Sequence, residues 1–334
     1  MAKCSHHQYF YHASASGLSA EIERPVQQSI SAQAASTLPS AGGRGFQRTE
    51  KFCVAPFVCF DAAYSEVGGS FDECHMMHTT YAYSVIEDLN IADVVTADRV
   101  VSRIVTYSPP EPDGHCCVEG EHTFDITGSH FDNLKIAGHK VQLDLSTPLI
   151  NKHNTYSKFQ ELYHPEAAGS GADPTVAAST KVNKGQADDR KKKAASLLPW
   201  GDQDEQGLNQ LLECEKTYHA LAGIGSRAKA WANGNGAKSK GAAPPPQKST
   251  NHGGAYWCSA AGHLDLKKSI GDTELQNFGG LILIPKFGVV RLAELVIHPD
   301  YQRLTMVRVQ MCSGSTGSTD GGTTTTSGGR PPMP

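Results

Sequence analysis

The stretch TTYAYSVIEDLNIADVVTADRVVSRIVTY, Thr79 to Tyr107, holds two β-branched runs joined by a short polar corner, and it constrains this chain more than any other segment. In the first arm Tyr81, Tyr83 and Val85 share one parity, with Thr80, Ala82 and Ser84 on the other. That is the period of a half-buried strand. The second arm, Val100 to Tyr107, is dense in Val, Ile and Thr, which are stiff at χ1 and suit a pleated surface. A helix through Ile91, Val94, Val95, Val101 and Val105 would put Asp98 on its apolar face, so a hairpin is expected.

Further alternation extends this to an all-β, antiparallel sandwich-like domain. Val141, Leu143 and Leu145 alternate with Gln142 and Asp144, in a strand pair centred on Ala137, Gly138 and His139. Phe278 to His298 holds two apolar runs around Pro285-Lys286-Phe287-Gly288, a hairpin corner. Leu304 to Cys312 adds an alternating strand. Lys51 to Ser65 reads as one apolar strand interrupted by Pro56, hence an edge or bulged strand, with Gly68 and Gly69 as the turn after it.

Composition divides the chain. Residues 1–50, rich in Ser, Ala, Gly and Gln, read as an N-terminal arm and first edge strand, and 51–163 as the first part of the β domain. Residues 164–252 read as a flexible insertion, with one amphipathic helix near 204–222 along Leu208, Leu211, Leu212, Glu215, Tyr218 and Ala222. The final strands fall in 253–312, and 313–334 reads as a Gly/Thr/Ser-rich tail, disordered or ordered by another subunit.

The net charge of -4 is mixed in sign, without the clustered Lys and Arg of a nucleic-acid surface. No run approaches the roughly 18 apolar residues of a membrane span. The opening MAKCSHHQYFYH shows neither a basic leader nor an apolar core, so no conventional secretory signal is expected. Nine cysteines, an odd number, with Cys53 and Cys59 separated by about 20 Å on a continuous strand, point to reduced thiols. The expected location is the cytoplasm, or outside the cell by a route that needs no such signal.

Two Cys/His groups are candidate zinc ligands: Cys74, His75 and His78, and His115, Cys116, Cys117 and His122. Neither has the spacing of a zinc module, so the plainer expectation is loop and core residues and no cofactor. Asp98, His130, Asp132, His139, Glu294 and His298 are the residues from which a hydrolytic site could be assembled, with Glu294 and His298 on one strand face. No nucleophile elbow, phosphate loop or dinucleotide fingerprint accompanies them.

The segments LNIADVVTADRVVSRI (Leu89 to Ile104), SHFDNLKIAGHKV (Ser129 to Val141) and IPKFGVVRLAELVI (Ile284 to Ile297) resemble bacterial β-rich surface proteins of the choice-of-anchor kind. The resemblance implies a β-sandwich-like domain in a surface or assembly setting, with no catalytic residues to carry over. The resulting expectation is a non-enzymatic structural protein that self-associates into an oligomer, filament or sheath-like array through sheet edges and terminal arms. The rival expectations are a metal-assisted β-sandwich or barrel enzyme, and a carbohydrate- or surface-binding module using Tyr256 and Trp257.

Overall fold

The structure is a computed structural model that describes residues 9–25, 27–75, 77–109, 121–163, 256–263, 276–278, 280–284, 287–313 and 315–329. The chain opens with β1 (Phe10–Arg24), β2 (Gln28–Gln33), β3 (Ser36–Thr37) and β4 (Gly43–Val54). Three long strands follow, β5 (Val58–Asp72), β6 (Met77–Ile91) and β7 (Val95–Ser108). Then come the short β8 (Thr123–Asp125), β9 (His130–Asp132), β10 (Lys135–Ile136), β11 (His139–Lys140) and β12 (Asp144–Leu145), and the helices α1 (Thr147–Lys152) and α2 (Tyr156–Tyr163). After residue 255 the strands are β13 (Tyr256–Ser259), β14 (Ala261–His263), β15 (Gln276–Phe278), β16 (Leu281–Ile284), β17 (Gly288–Ile297), β18 (Tyr301–Ser313) and β19 (Ser315–Gly329).

These strands form an all-β sandwich. One sheet runs β15-β16-β17-β18-β19-β1-β2, with β13 also on β17 and β3 also on β1. The other runs β11-β10-β7-β6-β5-β4, with β8 and β9 also on β7. All the pairs are antiparallel. The hairpins expected at 79–107 and 281–297 are β6–β7 and β16–β17. The corner of the second contains Gly288, at φ 149°, where a Cβ would lie 2.0 Å from the Gln310 carbonyl oxygen.

Several expectations change. Residues 315–329 of the Gly/Thr/Ser-rich tail are β19, a central strand paired on one side with β18 and on the other with β1 of the same chain. β1 is therefore interior and not an edge, and among the described residues the terminal arms close on each other. Lys51 to Ser65 is two strands. A turn at 55–57 reverses the chain, Cys53 and Cys59 face each other across β4–β5 with Cα atoms 4.1 Å apart, and they form a disulfide. The wide separation expected for them assumed an unbroken strand. Gly68 and Gly69 lie inside β5 opposite Tyr81 and Thr80, and a turn comes at 73–75. Around Ala137-Gly138 the ladder is two residues long per strand, and Val141 to Leu143 is not strand. The helix expected near 204–222 lies outside the described residues.

The long strands do not keep one alternation from end to end. In β1, Tyr11, Ala13 and Ala15 are buried, and then Leu18, Ala20 and Ile22; in β6, Ala82, Ser84 and Ile86 are followed by Leu89 and Ile91. The inward set changes parity midway. In the first sheet the switch falls on the row Gly17, Gly322, Met306 and Ala293, where Ala293 and Gly322 have φ of 51° and 64°. In the second it falls on Lys51, Asp61, Asp88 and Asp98, with Asp88 at φ 54°. A left-handed residue rotates the pleat locally, and a one-residue change of parity exchanges the faces. The two rows lie against each other: a Cβ on Gly17 would come 2.7 Å from Ala63 Cβ, and one on Gly322 3.4 Å from Val100.

On one side of this seam the interior is largely hydroxyl-bearing. Ser102 Oγ meets Thr324 Oγ1 at 2.8 Å, Thr106 Oγ1 meets Thr326 Oγ1 at 2.6 Å, and Ser84 donates to the Ser16 carbonyl at 2.8 Å. Threonine on both sheets can supply both donor and acceptor, so these buried polar groups are satisfied from across the sandwich. On the other side Leu18, Ile22, Leu89, Ile91 and Val95 make an apolar core.

Candidate functional site

Three features outside the packed core carry chemistry. The first lies at the end of the sandwich where β1 and β6 begin and β5 and β7 finish. His78 and Ser108 are cross-strand partners there. The His78 ring stacks on Tyr9 with centroids 3.8 Å apart, and its Nδ1 shares a 2.7 Å hydrogen bond with the Tyr11 hydroxyl. The Tyr9 hydroxyl meets Ser108 Oγ at 2.7 Å, and the same Oγ meets His122 Nδ1 at 2.7 Å. Phe71 closes one side, 4.7 Å from the His78 ring. Burial holds His78 below its ordinary pKa, and burial raises the Tyr9 phenol although its hydrogen bond to Ser108 opposes this. The Tyr11 phenol is raised by burial and by Tyr9. At neutral pH burial thus keeps His78, Tyr9 and Tyr11 uncharged.

The structure places four of the seven Cys/His candidates. Cys74 is a free, exposed thiol, and His75 bonds Asp72 Oδ2 through Nδ1 at 2.7 Å in the exposed turn. His78 turns the other way, into the aromatic cluster. His122 joins the same cluster through Ser108, while His115, Cys116 and Cys117 lie outside the described residues. The structure therefore brings His78 and His122 toward one end of the fold and leaves Cys74 and His75 apart from them. Among the described residues no three His, Cys, Asp or Glu side chains are grouped to hold a metal ion.

Protonating His78 would place a charge on a partly buried ring, so the cluster makes stability depend on pH. Because the folded pKa lies below the unfolded value of about 6.5, the folded state binds the proton less well than the unfolded chain. The contribution is complete above that pH and is lost as pH falls toward the folded pKa. Denaturant melts at pH 7.5 and 5.5 are expected to show the loss, and His78→Gln is expected to reduce it. An unchanged pH slope in His78→Gln would remove His78 as its source. The carboxylates held low, Glu66 by Arg44 and Asp125, where Thr127 and Arg103 outweigh burial, titrate below this window.

The second feature is a buried charge network on the outer face of the first sheet. Glu294 accepts approaches from Arg308 Nη1 at 3.1 Å, Arg303 Nη2 at 3.5 Å and Arg291 Nη1 at 3.8 Å. Arg308 also grips Asp320 with both arms of its fork, Nε to Oδ1 at 2.8 Å and Nη2 to Oδ2 at 3.1 Å. Arg291 and Glu294 are only 3% exposed. Glu294, read from the sequence as a partner for His298, is instead engaged by guanidinium groups, while His298 pairs with Asp300 at 3.3 Å. The other members of that set lie on the opposite sheet: Asp98 bonds Asn133, His130 bonds the Gly128 carbonyl and approaches Asp132 at 3.7 Å, and His139 sits on β11. The hydrolytic constellation is not assembled. The arginines were not singled out in the sequence; the signal available was an Arg and a Glu three apart within an otherwise apolar strand.

The third feature is β4 itself. It ends the second sheet, and among the described residues no strand pairs with its outer edge along its 12 residues. Beside it the outer face carries tyrosines and arginines. Tyr81 crosses over Gly68, where a Cβ would fall 2.2 Å from its ring, and donates to Glu66 Oε1 at 2.6 Å. Burial, with Glu66 next to it, pushes the Tyr81 phenol up to about 12. Arg44 Nε closes the group on Glu66 at 2.8 Å, and Tyr64 and Tyr83 pack at 6.4 Å on the next strands. Only the backbones of Tyr256 and Trp257 are described, as part of β13 on β17. Among the described residues no helix is long and apolar enough to cross a membrane.

No curated protein and no solved structure matches this chain. A family model, a domain of unknown function designated DUF8256, matches residues 9–298, which takes in every strand from β1 to β17. By that match the chain belongs to the DUF8256 family.

Proposed function

We propose that this chain is a structural protein that assembles with copies of itself through a sheet edge. The observation that carries the reading is the outer edge of β4, a 12-residue strand at the border of its sheet with which no other strand among the described residues pairs on that side. An edge strand presents a row of backbone donors and acceptors, and a second strand laid against it satisfies them. The terminal arms are left out of the reading, because β1 and β19 use each other. The Cys53–Cys59 bridge holds the end of the β4–β5 hairpin, and such bridges persist in oxidising surroundings. This supports an exported, surface or extracellular assembly of the kind the resemblance implies.

Light scattering coupled to size-exclusion chromatography across a wide concentration range, with negative-stain imaging, tests the proposal. A discrete oligomer or array is expected. A monomer at every concentration would sink it.

A further inference from the structure

The side chains along β4 restrict how a second copy can meet it; this inference rests on the self-assembly proposed above and specifies its contact. Arg44, Phe46, Arg48 and Glu50 point outward from β4, opposite Gly68, Glu66, Tyr64 and Ala62 of β5. They are 70%, 56%, 54% and 71% exposed, and Phe46 is one of two large hydrophobic side chains left exposed among the described residues, the other being Phe71. Arg44, Arg48 and Lys51 are the cations of the strand and Glu50 its one carboxylate.

Two copies joined edge to edge in antiparallel fashion are related by a two-fold axis, and the contact is made by the same residues on each. Because the pleat alternates, outward residues must meet outward residues, so the axis passes through a residue and not between two. An axis at Phe46 sets Arg44 against Arg48. Axes at Arg48, Glu50 and Lys51 set like charges face to face, which is unfavourable for directly opposed residues. An axis at Thr49 carries the pairing past Lys51, where the alternation switches and Phe52 turns inward onto Phe60, with ring centroids 5.5 Å apart. That register would oppose an outward Phe46 to an inward Phe52. Axes nearer the ends of the strand leave a short overlap.

An axis at Gln47 meets none of these objections. We propose that β4 pairs antiparallel with β4 of a second copy about a two-fold axis through Gln47, with Arg44 facing Glu50 and Phe46 facing Arg48 across the join. Arg44 and Glu50 each meet an opposite charge, and each exposed Phe46 ring lies beside the Arg48 guanidinium. The join is closed: it consumes the β4 edge of both copies, so by itself it makes a dimer and not a filament. The surplus of cations on the strand acts against the other registers, which limits open-ended stacking.

Sedimentation equilibrium on the full chain, with thermal melts to confirm folding, reads the register. Glu50→Arg opposes Arg44 to an arginine while leaving the Arg44–Glu66 pair in place, and is expected to weaken self-association at least about tenfold. Arg44→Glu combined with Glu50→Arg restores opposite charges and is expected to recover most of it. Recovery by Arg48→Glu with Glu50→Arg instead would move the axis to Thr49 and overturn the register. An oligomer indifferent to every one of these changes overturns it too, while leaving self-assembly standing. A monomeric parent protein removes both.

Discussion

A chain ending at Ser313 is expected not to reach the native fold. β19 lies between β18 and β1, and its ladder to each runs nearly the whole length of the strand. Its removal takes backbone partners from two strands at once and opens two new edges in the middle of a sheet. Thr324 and Thr326 leave with it; Ser102 loses its hydroxyl partner, while Thr106 keeps Gln302. An inward polar group left without a partner costs roughly 1–3 kcal/mol, before any apolar surface is counted. A domain's whole stability is about 5–15 kcal/mol, so losing a central strand exceeds what the fold can bear. Far-UV circular dichroism and a thermal melt of the truncated chain decide the matter. A cooperative transition like that of the full chain would show that β19 is dispensable.

Glu294→Ala is expected to destabilise the protein by about 3–5 kcal/mol. The carboxylate is 3% exposed and faces Arg291, Arg303 and Arg308. Without it, three guanidinium groups lose a carboxylate they share in a place that water reaches poorly, and both oxygens of Asp320 are already held by the Arg308 fork. Asp320→Asn is expected to cost much less, about 1 kcal/mol, since Asp320 is 30% exposed and water can replace what it gives. Urea melts of the two variants compare them directly. Equal midpoints would mean that the burial of Glu294 confers no special role.

Local chemistry made part of this architecture legible. Thr79 to Tyr107 and Leu281 to Ile297 announce themselves as hairpins because alternation and corner residues are both local, and both are found where expected. β19 shows the limit of such reading. Apolar content marks a strand only where its inward neighbours are apolar, and the inward neighbours of Thr324 and Thr326 are Ser102, Thr106 and Gln302. With hydroxyls on both sides of the gap, a threonine run is core material that composition presents as a tail.

The candidate sites divide in the same way. His78 and His122 stood out by residue type, but their common link to Ser108 and Tyr9 depends on where β1, β6 and β7 end. The arginines around Glu294 gave little warning, because two of them come from β18, at positions 303 and 308, on opposite sides of the change in alternation. Cys53 and Cys59 meet because the turn at 55–57 folds the chain back on itself, which the apolar content of Lys51 to Ser65 does not signal.

What the amino-acid sequence determined by itself is the class of the fold, all-β and antiparallel, and the position of its clearest hairpins, since period-two patterning and turn residues act within a few positions of each other. The tertiary structure decided which strands are interior, where the alternation switches face, and which charges are buried together. Those outcomes depend on partners as far apart as Ser102 and Thr324, 222 positions along the chain. A strand's second face and second edge acquire their meaning from whatever packs there, and no local pattern encodes that.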